Sequence, residues 1–131
     1  NTKVPYAGDA ADIAKPIWLS WNTDLSTVGG NLSKVTKLTM ELGMKAMGNA
    51  DEVGAAAVDY LRVVGHLCFA YFFARMAKVA LAKKDSGDPF YTAKLATARF
   101  YFAKLLPETA SLIRSARAGV APLMAMEEAL F

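Results

Sequence analysis

DEVGAAAVDYLRVVGHLCFAYFFARMAKVALAKK, residues 51–84, decides the fold: 34 residues run without a proline. Asn49 or Asp51 can cap its start, and Lys83 and Lys84 suit the negative end of a helix dipole. At about 1.5 Å per residue such a helix spans roughly 50 Å. From Val63 to Ala74 it carries no formal charge, so it is apolar on nearly every face there. A helix of that kind is expected to be enclosed by partners.

The flanking sequence supplies those partners. Asp24 to Met47 reads as a first helix, with Val28, Leu32, Val35, Leu42 and Ala46 recurring at three- and four-residue steps. Gly29-Gly30 weakens its opening and Gly48 can close it. Lys84-Asp85-Ser86-Gly87 reads as a tight turn, after which Asp88-Pro89 restarts a helix with aspartate as N-cap and proline at the first helical position. The third helix is expected from Pro89 to Ala118. Its seam is Tyr91, Leu95, Ala98, Phe102, Leu105, Thr109, Leu112 and Ala116, beside a polar flank that includes Lys104 and Glu108. Pro107 should bend it, and a short fourth helix, Ala121 to Leu130, follows Gly119. Residues 1–22 mix Pro5, Gly8 and Pro16 with Tyr6, Trp18 and Trp21. They read as an arm or linker from a preceding region, with a helical turn or two over Asp9–Lys15 that Pro16 interrupts. The expected fold is all-α: an up-and-down helical bundle over residues 23–131, three long helices plus short terminal ones.

Composition agrees. Hydrophobic residues make up 54% of the 131 and charged ones 21%, the balance of a globular domain. The net charge of +3 is spread evenly, with no basic block or basic-aromatic stripe, which argues against a nucleic-acid partner. The uncharged run falls short of the roughly 18 to 20 residues of a membrane span, and Arg62 and Arg75 bound it, so no span is expected. One cysteine, Cys68, excludes an internal disulfide; among Leu67, Phe69 and Phe72 it reads as a buried inert thiol, in keeping with a reducing cytoplasm. The chain opens on Asn1 without a signal peptide, as expected of a processed chain or a piece of a longer one.

Chemistry is sparse. Asp59, Arg62 and His66, the only histidine, share a helix face at steps of three and four. They could form a carboxylate-oriented general base, or a polar seam that lines the bundle or meets another domain. A carboxylate-bridged metal site would need paired Glu-x-x-His motifs, and none is present. Neither a nucleophilic triad nor a phosphate-cradling glycine loop can be placed. Arg75 and Arg99 could bind an anion, pair with a carboxylate, or reach to the surface. Met40, Met44 and Met47 read as core filler or as an adaptable contact surface, and Phe69, Phe72 and Phe73 as core or as the wall of an apolar-ligand carrier.

Five strings give the chain a family resemblance: Asp59–His66 (DYLRVVGH), Ala74–Lys78 (ARMAK), Asp88–Phe102 (DPFYTAKLATARFYF), Leu105–Thr109 (LLPET) and Leu123–Glu127 (LMAME). They resemble the C-terminal region of large bacterial acyl-CoA dehydrogenases, in the subgroup of 3-methylmercaptopropionyl-CoA dehydrogenase-like enzymes. The resemblance implies a cytoplasmic, FAD-dependent parent enzyme of fatty acid metabolism that oxidises an acyl-CoA thioester between its α and β carbons. It also implies partners in the preceding catalytic domains and a second subunit. In this family the glutamate base lies in a Y-E-G-type segment upstream; the nearest string here, Tyr6-Ala7-Gly8-Asp9, lacks the glutamate. No residue is therefore carried over as catalytic, none is assigned to cofactor or metal, and this chain alone is expected to hold no FAD. The rival reading is a stand-alone helical protein–protein interaction module without an enzymatic parent.

Overall fold

A computed structural model describes the backbone of residues 10–131 and the side chains of residues 29–131. Its helices are α1 (Ala10–Gly48), α2 (Asp51–Lys83), α3 (Pro89–Phe100), α4 (Glu108–Arg117) and α5 (Ala121–Met124). A π-helical turn, Tyr101–Leu105, links α3 to α4, and a 3-10 turn, Glu128–Leu130, ends the chain. The described residues form no strand. The fold is the expected all-α, up-and-down bundle, with α1 and the α3–α4 arm both antiparallel to α2.

Three expected boundaries move. Helix α1 begins at Ala10 rather than Asp24 and passes through Pro16 and Gly29-Gly30. A proline in a helix removes one backbone donor, here the one that would reach the Asp12 carbonyl, and leaves the bonds on either side to carry the helix on. The packing of Trp18, Trp21 and Val28 lies outside the described side chains. The single third helix is divided into α3, the π-turn and α4. Pro107 offers no N–H, and Leu106 N instead reaches back five residues to the Tyr101 carbonyl at 2.9 Å. The fourth helix is cut to α5 and the 3-10 turn by extended backbone at Glu127, φ −68° and ψ 143°.

The caps behave as local chemistry requires. Asp88 accepts from Phe90 N at 2.9 Å and Pro89 takes the first helical position. Asn49, not Asp51, caps α2 by accepting from Asp51 N at 3.1 Å. Gly87 closes the intervening turn at φ +85°, a conformation that penalises any Cβ.

Helix α2 is the central element and packs against α1, α3 and α4. Its buried seam, Ala56, Val63, Ala70 and Ala77, repeats every seven residues and is mostly alanine, which lets the other helices come close. Two apolar clusters form on it. One joins Ala70, Ala77 and Ala80 to Leu95, Ala98, Tyr101, Phe102 and Leu106; the other joins Ala56 and Val63 to Val35, Leu38, Leu112, Ile113 and Ala116. Leu38 and Val63 are fully buried, each contributing about 1.5–3 kcal/mol from burial.

The seam of the third helix is as expected at Leu95, Ala98 and Phe102 and again at Thr109, Leu112 and Ala116, all buried; within the π-turn the expected Leu105 is exposed and Leu106 is buried in its place. On α1, Leu38 enters the core while Leu32 faces outward.

The expectation that α2 is enclosed fails on one side. Val58, Leu61, Phe69, Phe72 and Val79 are each more than half exposed. Cys68 is exposed too, not buried, because it shares that outer face. Met40, Met44 and Met47 point to solvent rather than filling the core. By length and composition α2 could also cross a membrane, since an 18-residue window has a mean hydropathy of 1.3, longer than the uncharged run suggested. Its inner face nevertheless packs on helices that expose Lys, Arg and Glu, the setting of a bundle's central helix.

Two substitutions check this architecture. Phe102→Ala, at a side chain 7% exposed, should lower stability by about 3–5 kcal/mol in denaturant unfolding. Asp88→Ala should cost about 0.5–2 kcal/mol and Asp88→Asn much less, because asparagine also accepts from the Phe90 amide; equal losses would refute the cap.

Candidate functional site

The polar face expected on α2 is real but differently composed. Arg62 and His66 meet Glu108, in the first turn of α4, where a carboxylate also complements the helix dipole. Arg62 Nη2 donates to Glu108 Oε1 at 2.5 Å, and His66 Nε2 lies 2.7 Å from Glu108 Oε2. Tyr101, which opens the π-turn, donates its hydroxyl proton to the His66 carbonyl at 2.8 Å, and its oxygen lies 3.0 Å from His66 Nδ1. Asp59, the third expected member, makes no hydrogen bond or ion pair among the described residues.

From the sequence Glu108 reads only as part of the third helix's polar flank, and Tyr101 has no site role. Spacing along one helix reveals which residues share a face but not which residue of another helix meets them.

The cluster lies between the two apolar clusters, where α3 gives way to α4. The Glu108 carboxyl sits below the usual carboxylate range, chiefly through its hydrogen bond to His66, against some desolvation and with help from Arg62. Burial pushes the Tyr101 phenol up to about 12, so it remains a neutral donor.

The geometry is that of a polar clamp between α2 and α4. Both ring nitrogens of His66 are engaged by protein groups, and the depression beside it, lined by Arg62, Gly65, His66 and Phe69, holds about 180 Å³. Cys68 lies two residues on, about 200° around the helix, so it cannot pair with His66. A second set of polar contacts ties the other end. Arg117 Nε donates to Glu41 Oε2 at 2.8 Å, Lys45 Nζ to the Arg117 carbonyl at 3.2 Å, and Val120 N to Glu52 Oε2 at 3.1 Å. Among the described residues no group of three or more His, Cys, Asp or Glu could hold a metal ion. Arg75 stacks on Tyr71, 5.7 Å from the ring centroid, rather than meeting a carboxylate.

The other distinctive surface is apolar. Along α2, Gly54, Val58, Leu61, Gly65, Cys68, Phe72, Met76 and Val79 form a second seam at steps of four and three, opposite the buried one and uncovered for most of its length. Beside its N-terminal half, α1 and α2 leave an open groove of about 530 Å³ with Gly43, Ala56 and Ala57 among its lining. Its polar edge is the Thr39–Tyr60 hydroxyl pair, at 2.7 Å. Phe73 stacks on Tyr101 at 4.8 Å, whereas Phe69 and Phe72 are more than half exposed.

The clamp has a signature in acid. Glu108 has a lowered folded pKa, so the stability it adds is complete above the ordinary glutamate value and is lost as pH falls through the lowered one. Melting temperature should therefore fall less steeply for Glu108→Gln than for the parent between about pH 6 and about pH 3. Parallel acid limbs would remove Glu108 from the network.

Comparison with known proteins places this arrangement. No curated protein matches the chain. A family profile described as "Acetyl-CoA dehydrogenase C-terminal like" matches residues 11–127, nearly the whole chain, including both the clamp and the uncovered seam. The chain belongs to that family, the C-terminal helical domain of acyl-CoA dehydrogenases.

Proposed function

We propose that this chain is a packing and assembly domain of an acyl-CoA dehydrogenase and carries no chemistry of its own. The observation that carries the reading is the second seam of α2, which the described chain leaves uncovered for most of its length. Contiguous exposed apolar surface of this extent marks an interaction site. Family membership implies partner domains in the same chain and FAD in the full-length enzyme. The parent would oxidise an acyl-CoA thioester between its α and β carbons, in the cytoplasm and within fatty acid metabolism. The strings DYLRVVGH and DPFYTAKLATARFYF favour the 3-methylmercaptopropionyl-CoA dehydrogenase-like subgroup.

The residues described do not fit a flavin. A dinucleotide's pyrophosphate needs free backbone amides at a glycine-rich turn or helix N-terminus. At Gly119, one of two glycines with positive φ, the neighbouring Val120 amide is already taken by the Glu52 carboxylate, which would repel a phosphate. Gly87 sits in the turn ahead of α3, where the Asp88 carboxylate caps the helix. The flavin and its substrate therefore belong to the preceding domains.

A three-way comparison tests this: the chain alone, the intact enzyme, and the enzyme lacking these residues, each assayed for bound flavin, turnover and size in solution. The chain alone should purify without FAD and reduce no dye acceptor with an acyl-CoA, while the truncated enzyme should aggregate or change oligomeric state. Stoichiometric FAD in the chain alone, or a truncated enzyme indistinguishable from the intact one, would overturn the assignment.

A further inference from the structure

We infer that the uncovered seam of α2 receives the same seam of a second copy of this chain, packed antiparallel about a two-fold axis passing between His66 and Leu67. The inference rests on the reading of this face as a packing surface and names its occupant. From Gly54 to Val79 the steps of four and three match the period of helices lying side by side at a small crossing angle. Over those residues the contact would run about 39 Å.

The seam is graded in size. Glycines, Gly54 and Gly65, interrupt its N-terminal half, and bulky Phe72, Met76 and Val79 fill its C-terminal end. A parallel copy would set glycine against glycine and ring against ring. An antiparallel copy sets Gly54 against Val79 and Gly65 against Cys68, so each glycine faces a side chain, and it sets Leu61 against Phe72 and Met76 against Ala57, while Val58 falls opposite Arg75.

The groove follows the same logic. Its small-residue lining, Gly43 and Ala57, lies beside Val53 and Leu61, level with Phe72 and Met76 of the antiparallel partner. The ridge at one end of the face is thus the plug for the socket at the other. Because the two-fold repeats that contact once on each side, the pair closes on itself and does not extend into a filament.

Charge points the same way. Helix α2 opens on exposed Asp51 and ends on exposed Lys83. Antiparallel pairing brings each Asp51 toward the partner's basic end and opposes the two helix dipoles, whereas parallel pairing stacks like on like.

Cysteine chemistry tests the arrangement, because Cys68 is the only thiol and is exposed. A short bismaleimide should link Cys68 to Cys68 in the 131-residue chain, the two lying close to the axis on opposite copies. For direction, Leu61→Cys and Phe72→Cys are made separately in a Cys68→Ser background, one of them isotope-labelled, then mixed and oxidised mildly. The mixed disulfide should dominate over both self-linked products. Self-linked products in excess would establish a parallel pair, and a monomer without cross-links would assign the face to another occupant; either outcome overturns the inference. Leu61→Asp, at a position 71% exposed, should keep its helical circular dichroism while weakening self-association by more than about tenfold. An unchanged association constant would also refute it. These outcomes separate from those of the packing reading: a truncated enzyme that aggregates while no cross-link forms keeps the packing role and removes only the second copy.

Discussion

The alanine seam of α2 is the contact on which the bundle depends. Ala56, Ala70, Ala77 and Ala80 place almost no side-chain bulk between α2 and its neighbours, so three helices reach one helix and share a core with little volume to fill. Close approach increases the number of dispersion contacts per residue, each about 0.1–0.2 kcal/mol, which offsets the small area an alanine buries. The same economy leaves the opposite face bare. With α1 on one flank and α3–α4 on the other, no element among the described residues lies over Leu61 and Phe72. Helix α2 thus has one tight face and one open face.

Between the two apolar clusters the bundle changes character. Glu108, Arg62, His66 and Tyr101 join where α3 gives way to α4, and the carboxylate serves a cation, an imidazole and a helix N-terminus together. Exposed ion pairs contribute little to stability. His66 is the most shielded member of the ion-paired set, its side chain 14% exposed, so its loss would leave the Tyr101 hydroxyl and one Glu108 oxygen short of a partner. Such a network adds more to the uniqueness of the packing than to its total strength, because the polar groups are satisfied in one register only.

The sequence made the helices legible because period, caps and turn residues all agree locally. Asp88-Pro89 behaves as local chemistry predicts, and Gly87 takes the left-handed conformation expected of a glycine in a turn. What it concealed is cross-helix information. The Arg62–His66 face was visible from spacing, yet its carboxylate lies 46 residues from Arg62 on a different helix. The π-turn was hidden for another reason: Pro107 signals trouble, but whether a helix answers by bending or by widening depends on what its side chains meet. Here Leu106 reaches the core and Leu105 does not. The outward face of α2 was misjudged because apolar composition tells how much surface seeks cover, not whether the same chain provides it.

The π-turn at Tyr101–Leu105 has a geometric consequence. Each helical residue advances about 100° around the axis, so one residue added to a turn acts as a phase shifter for all that follows. Upstream, α3 aims Leu95 and Ala98 at the alanine-rich end of α2; downstream, α4 aims Leu112, Ile113 and Ala116 at the cleft between α2 and α1. A rigid helix cannot be rotated separately at its two ends. The widened turn uncouples them, and so one continuous arm can serve as wall for two differently oriented rooms.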